Sequence, residues 1–250
     1  MHLFADYHTH TKYSHGRGTI LENIEAARKQ GLDEVAISDH GPANPVLGIK
    51  RAEVLLDIKK EIDYYNTQYN DIRVLTGVEA NIVGSDGKLD IPRSILHKLD
   101  IVLAGLHRFT WFTDWRAGKT MYLENPLSKL GLGASSRRIA KKARLHNTKA
   151  VIEAVYRYDI DIITHPGLHM DIDTFELARA CAKRDTALEI NASHGTSLTE
   201  FAKAAASQGV SFAIDSDAHH PRDVGRLGPG LEVAVQLGLT ADRIINARKE

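Results

Sequence analysis

Seven short β-type runs alternate with amphipathic helical segments along the whole of the 250-residue chain. The strand candidates are Leu3–Tyr7, Glu34–Ser38, Arg73–Val78, Ile101–Gly105, Ile160–Thr164, Ala187–Ile190 and Ser211–Ile214. Helical patterns separate them at Thr19–Gln30, Arg51–Tyr69, Pro92–Leu99, Ser136–Tyr158, Asp173–Arg184 and Ser197–Gln208. Alternation of this kind argues for a parallel sheet with helical crossovers, since a parallel pair needs a long connection. Gly31 and Gly209 fall where a helix should end in a left-handed cap. Pro92 suits the first helical position, and the chain beyond Arg222 reads as helical, with a cap-like Thr240-Ala241-Asp242-Arg243. About seven strands without a domain break favour one incomplete β/α barrel over residues 1–250; a doubly wound open sheet competes, since no residue signals closure.

The interval Phe109–Ser135 breaks the rhythm. It has no clean period, is rich in Trp, Gly and Thr, and is too long for an ordinary connection. Together with the basic stretch Ser136–Arg144 it makes residues 109–149 an expected insertion, capping whatever site the strands build.

Charge excludes some partners. The 32 basic and 32 acidic side chains cancel, so nucleic acid finds no general attraction and is an unexpected partner. No apolar run approaches the roughly 18 residues of a membrane span, and Met1–Asp6 does not resemble a signal peptide. A single cysteine, Cys181, cannot form an internal disulfide and sits in an apolar run as a core residue. A cytoplasmic protein is the expectation.

Metal-competent side chains cluster at the strand ends. The first strand leads into His8-Thr9-His10, the second into Asp39-His40, and the third into Glu79. His107 and His165 follow the fourth and fifth; Asn191 and His194 follow the sixth, and Asp217-Ala218-His219 the seventh. In parallel β/α folds that end carries the active site. Residues two apart face the same side, so His8 and His10 can share an ion, and Asp217 and His219 a cavity. Asp6, one step deeper in the same row, suits the orienting of a ligand histidine through its free N–H. One histidine at a strand end is more often a satisfied core or loop residue; seven, with Glu79 and Asp217, are a constellation. The other histidines, among them His2, His97, His146, His169 and His220, read as surface residues.

The motifs His8-Thr9-His10, Ser38-Asp39-His40-Gly41-Pro42, Gly77-Val78-Glu79-Ala80-Asn81, Ala104-Gly105-Leu106-His107, His165-Pro166-Gly167 and Asp215-Ser216-Asp217-Ala218-His219 occur in that order. In this the chain resembles the PHP (polymerase and histidinol phosphatase) metal-dependent phosphoesterases, most of all the stand-alone, YcdX-like group. The resemblance spans nearly the whole chain and implies a distorted, TIM-like (β/α)7 barrel with a trinuclear metal site. It implies one ion on His8, His10, Glu79 and Asp217, a second on Glu79, His107 and His165, and a third on His15, His40 and His219. Polymerase-linked members often carry another residue where this chain has His15. The segment between His107 and the helix near Ala150 departs from those relatives, so their substrate preference does not transfer.

Nitrogen and oxygen donors without sulfur suit zinc, manganese or iron. Such ions would ionise a bound water and neutralise phosphoryl charge, so the expected reaction is attack of metal-bound hydroxide on a small phosphomonoester, with Glu79, Asp217 and His219 at the centre. Arg108 and Arg222 could clamp the phosphate, or be solvated loop arginines; His194 could face the cavity or cap a turn. Histidinol phosphate is one candidate substrate. A nuclease acting on phosphodiesters is the alternative, and a non-catalytic metal-stabilised binding module the least favoured, because every ligand position is filled.

Overall fold

The structure, a computed structural model, describes residues 1–129, 133–168 and 170–249. The strands are β1 (His2–Leu3), β2 (Ala5–Asp6), β3 (Glu34–Ile37), β4 (Arg73–Asn81), β5 (Ile101–Gly105), β6 (Ile162–Ile163), β7 (Ala187–Asn191), β8 (Phe212–Asp215) and β9 (Ala247–Arg248). Between them lie α1 (Ile20–Lys29), α2 (Val54–Gln68), α3 (Arg93–Leu96), α4 (Trp115–Lys119), α5 (Asn125–Ser128), α6 (Gly133–Arg157), α7 (Thr174–Lys183), α8 (Thr199–Ala206) and α9 (Gly228–Gln236). Strands β2 to β8 form one parallel sheet in sequence order.

That sheet curls into a nearly closed barrel. At the upper end of the seam a parallel bridge joins Thr9 to Ala218, with His10 N–H donating to Ala218 O at 2.8 Å. Lower down a side chain closes the gap: Asn246 Nδ2 donates to the carbonyls of Ala5 (2.9 Å) and Ile214 (2.7 Å). The open-sheet alternative is therefore set aside. A small apolar cluster fills the barrel, including Ala36, Leu75, Leu103, Ile162, Ala187 and Ala213. Alternate residues such as Val35, Ile37, Val74, Val102, Leu188 and Phe212 belong to the larger core that includes helix residues Ile24, Ile58 and Val233, as strands covered on both faces require.

Local chemistry sets the helix ends. Thr19 and Glu22 make a reciprocal capping box at α1, and Asp173 caps α7. Gly31 (φ 75°) and Gly209 (φ 79°) take the left-handed conformation expected after α1 and α8.

Four expectations need correction. Leu3–Tyr7 is split, since β1 leaves to pair antiparallel with β9. The tail beyond Arg222 is helical only at α9, followed by a short 3-10 turn at Ala241–Arg243 and then β9. Pro92 is the N-cap of α3, with extended backbone, one place before the first turn. The interval Phe109–Ser135 is irregular only in part: Phe109–Asp114 carries no helix or strand, but from Trp115 to Ser128 α4, a π-helical turn (Thr120–Glu124) and α5 follow one another without a break. Pieces of four or five residues are too short to print a helical period.

Candidate metal centre

The barrel's inward rows end in charge. On β4 the row Leu75, Gly77, Glu79 carries a fully enclosed carboxylate, and rings converge on it. His107 Nε2 and His165 Nε2 each lie 2.9 Å from Oε1; His40 Nδ1 lies 2.8 Å and His8 Nε2 3.2 Å from Oε2. Asp217 Oδ1 sits 3.2 Å from His10 Nε2 and 3.4 Å from His8 Nε2. The His15 ring centroid is 4.2 Å from that of His219 and 4.9 Å from that of His40.

Among the described residues, three sets of donor atoms lie within 4.8 Å of one another: His8, His10 and Asp217; His10, His40 and His219; His40, Glu79 and His107. The structure thus brings all nine expected metal ligands into one cluster, with three differences in grouping. Glu79 is absent from the set of His8, His10 and Asp217, His10 rather than His15 completes the set with His40 and His219, and His40 rather than His165 stands with Glu79 and His107.

Two site residues have backbones that side chains seldom adopt, His165 (φ 28°) and Asp217 (φ 53°). Such conformations cost about 1–3 kcal/mol each and persist where the surroundings enforce them. Here both lie just past a strand end and turn their side chains onto the cluster.

Orienting groups stand behind the donors. Glu189 Oε1 lies 2.6 Å from His8 Nδ1, and its other oxygen accepts from the His165 amide at 2.6 Å and Asn191 Nδ2 at 3.2 Å. Asn191 Nδ2 also reaches Asp217 Oδ2 at 3.1 Å. Asn81 Oδ1 sits 2.8 Å from His107 Nδ1 and is itself fixed by Asp90, which accepts from Asn81 Nδ2 at 2.6 Å. Asp39 accepts from the Thr11 amide and hydroxyl and from the Ser14 hydroxyl, shaping the loop that leads to His15. Asp6 does not orient a histidine ring. Its carboxylate accepts from the Ser216 amide and hydroxyl and the Gly225 amide, and weakly from the His8 amide. Glu189 does what was expected of Asp6. The sequence held a signal for it: Glu189 lies two places before Asn191 on one strand, hence in the same inward row.

The expected phosphate contacts divide. Arg108 is exposed and lies over the Phe109 ring, and Arg222, 74% exposed, leans toward Asp223. His194 is half-buried, and the charges of Asp217, His165, Glu189 and His8 act on its ring. Of the remaining histidines, His2 and His97 are exposed. His146 and His220 are half-buried, one beside Thr120 Oγ1 and the other accepting from the Arg222 amide; His169 lies outside the described residues.

The donor set fits divalent ions. Buried atoms with no hydrogen-bond partner include His8 Nε2, His10 Nδ1, His15 Nδ1, His40 Nδ1 and Glu79 Oε2. Unsatisfied buried polar atoms are rare and ask for a partner; five in one cluster ask for ions. Ionisation agrees in part. Burial alone would raise the Glu79 carboxyl, but His107, His40 and His8 hold it well below the usual range. Burial likewise acts against Asp217, and His8 and His10 hold it low. Burial, with help from neighbouring rings, keeps His10 neutral and lowers His15 to about 4. His8 and His165 go the other way, because Glu79 and nearby carboxylates outweigh burial. An ion binding there must displace their protons.

Comparison with known proteins agrees with this geometry. The PHP domain profile matches residues 6–193. A protein named "Probable phosphatase" from Thermoanaerobacter sp. (strain X514) is 33% identical, over 98% of this chain and 91% of its own length. The DNA polymerase/3'-5' exonuclease PolX of Bacillus subtilis is 31% identical over 98% of this chain, which spans 39% of that protein. A crystal structure of histidinol phosphate phosphatase from Lactococcus lactis, complexed with zinc, L-histidinol and phosphate, shares the fold. It superposes with a TM-score of 0.67 at 17% identity over 95% of each chain. From the ordered histidine and carboxylate motifs, the parallel barrel and the profile match, this chain belongs to the PHP domain family.

Proposed function

We propose that this PHP-family phosphatase releases phosphate from a small phosphomonoester at a site holding three divalent ions. The ligands would be His8, His10, His15, His40, Glu79, His107, His165, Asp217 and His219. The observation that carries the reading is the set of rings around the Glu79 carboxylate, both of whose oxygens have imidazole nitrogens within 3.2 Å. A carboxylate so shared would hold two ions at once. Bound ions supply water that ionises near neutral pH and positive charge for the phosphoryl oxygens.

The chain's own groups prepare the site. Glu189 and Asn81 fix the rings of His8 and His107, so that each presents one nitrogen to the cluster. His219 Nδ1 lies 2.8 Å from the Asp217 carbonyl, which leaves its Nε2 lone pair for a ligand. His219 is also the more open end of the cluster, its side chain 37% exposed, and a phosphate would enter there. His194 is better placed than Arg108 or Arg222 to meet it. Zinc, manganese and iron all suit the donors.

Histidinol phosphate is a specific alternative substrate, favoured by the barrel shared with the Lactococcus lactis enzyme. A phosphodiester-cleaving nuclease is the other, favoured by the match to the Bacillus subtilis polymerase/exonuclease. The test is elemental analysis of metal-replete protein, then phosphate release and chain cleavage over a panel of phosphomonoesters, histidinol phosphate included, diesters and single-stranded DNA. More than one ion per chain, activity lost on chelation, and release from monoesters with little DNA cleavage are expected. One ion or fewer would overturn the trinuclear site; processive DNA digestion without action on monoesters would reverse the reading.

A further inference from the structure

A cavity lies between the segment 109–150 and the upper end of the barrel, where Ile82, Gly84 and Ser85 follow β4 and Leu106 follows β5. Its volume is about 300 Å³, at the lower end of small-molecule sites, which run from roughly 300 to 1,000 Å³. Leu106, Phe112, Met121 and Leu145 supply apolar wall, and none of the nine metal-ligand residues lines it. The charged lining is of one sign. Arg116 and Lys149 border the cavity, beside the His146 ring, and no aspartate or glutamate does. The nearby carboxylate, Glu124, is already engaged by Lys142 Nζ at 3.1 Å, His146 Nδ1 at 3.4 Å and Thr120 Oγ1 at 3.0 Å. Among the described residues no carboxylate lies within 4.0 Å of the Arg116 or Lys149 charge.

We infer that this cavity binds a small amphipathic anion, its apolar body against Leu106, Phe112, Met121 and Leu145 and its anionic head on Arg116 and Lys149. An apolar pocket with few convergent polar groups is the usual form of a ligand site. Two cations without an acid beside one mouth fix the sign of the ligand, and a guanidinium takes carboxylate or phosphate bidentately. The apolar wall selects against inorganic phosphate alone. The occupant is therefore a carboxylate or a phosphoryl group attached to a short hydrocarbon body. The assignment does not depend on what the metal centre hydrolyses.

The test titrates metal-loaded protein with octanoate, octylphosphonate and neutral octanamide, in excess inorganic phosphate to occupy the metal centre. Octylphosphonate cannot be hydrolysed, so binding and turnover stay separate, and the two anions tell a carboxylate from a phosphoryl preference. At least one anion should bind once per chain, about tenfold or more tighter than octanamide. The Arg116→Gln, Lys149→Gln double variant should lose that advantage. Ala117→Trp, which sets a ring into the cavity, should lose all binding at wild-type metal content. Both glutamine substitutions fall on exposed side chains, so the double variant keeps the test open if the tryptophan variant folds poorly. No stoichiometric binding of either anion, equal binding of anion and amide, or unchanged anion binding by the double variant would overturn the inference.

Discussion

Glu79 and Glu189 are both fully buried, and they differ in which atoms face them. Glu79 meets ring nitrogens from five histidines within 3.6 Å, whereas Glu189 meets one ring, one amide N–H and one side-chain amide. Glu79→Gln should accordingly abolish phosphate release and empty two ion sites together. Glu189→Gln should leave the ligands present but loosely aimed, weakening metal affinity about 10- to 100-fold. Cys181→Ser, in the apolar core, should keep turnover near wild type with a modest loss of stability. Elemental analysis and chelator competition on the three variants check this; near-normal phosphate release by Glu79→Gln would dismiss the cluster. Eight of the nine candidate ligands were legible because each lies just past the end of an apolar run, where a polar residue stands out; His15, in the loop after His10, came only from the family resemblance. Glu189 was not legible, because it sits inside such a run and looks like a lapse in hydrophobicity. Only the period of two, counted back from Asn191, places it in the barrel.

Between elements, the seam of β2 and β8 is where the alternation of strands and helices stops being informative. Parallel pairing from β2 through β8 follows from helical crossovers. Below the Thr9–Ala218 bridge, closure depends on single side chains, Asn246 across the lower gap and Asp215, whose Oδ1 accepts from the Tyr7 amide at 2.7 Å. Neither has a pattern that a reading of periods detects. Asp215 also makes the seam sensitive to pH. Burial, then the charges of Asp6 and Glu189, push its carboxyl well above the ordinary value of 3.8. An acid whose pKa is raised on folding holds more protons folded than unfolded between the two values, so stability falls as pH rises through that window. Asp215→Asn keeps an oxygen for the Tyr7 amide and removes the titration. Urea unfolding of chelator-treated protein from pH 4 upward should show the wild type losing more stability with rising pH than the variant, the two converging in acid. Parallel pH profiles would mean that Asp215 stays ionised in the fold.

For the whole molecule, balanced charge leaves electrostatic recognition to local features. The largest is the segment 109–149. It is pinned to the loops at the barrel's upper end: the Trp111 amide donates to Ala43 O, the Thr113 amide to Val83 O, and the Ser85 amide to Asp114 Oδ2. Its attachment thus lies beside the strand ends that carry His40 and Glu79. Trp111 and Trp115 remain 71% and 72% exposed, with Lys119 Nζ 5.2 Å from the Trp115 ring centroid. Of the basic run, Lys142 and Arg144 are held by Glu124 and Asp173, which leaves Arg137, Arg138 and Lys141 for other work. If the segment caps the metal centre, the tryptophans cover the apolar part of the substrate and the free cations draw in its phosphate. Replacing both tryptophans by alanine should raise KM for phosphomonoesters while metal content holds. Replacing Arg137, Arg138 and Lys141 by serine should raise KM at low ionic strength and flatten the dependence of kcat/KM on salt, since a steering charge is screened beyond about 8 Å at physiological ionic strength. Wild-type kinetics from both variants at low and high salt would reduce the segment to scaffold.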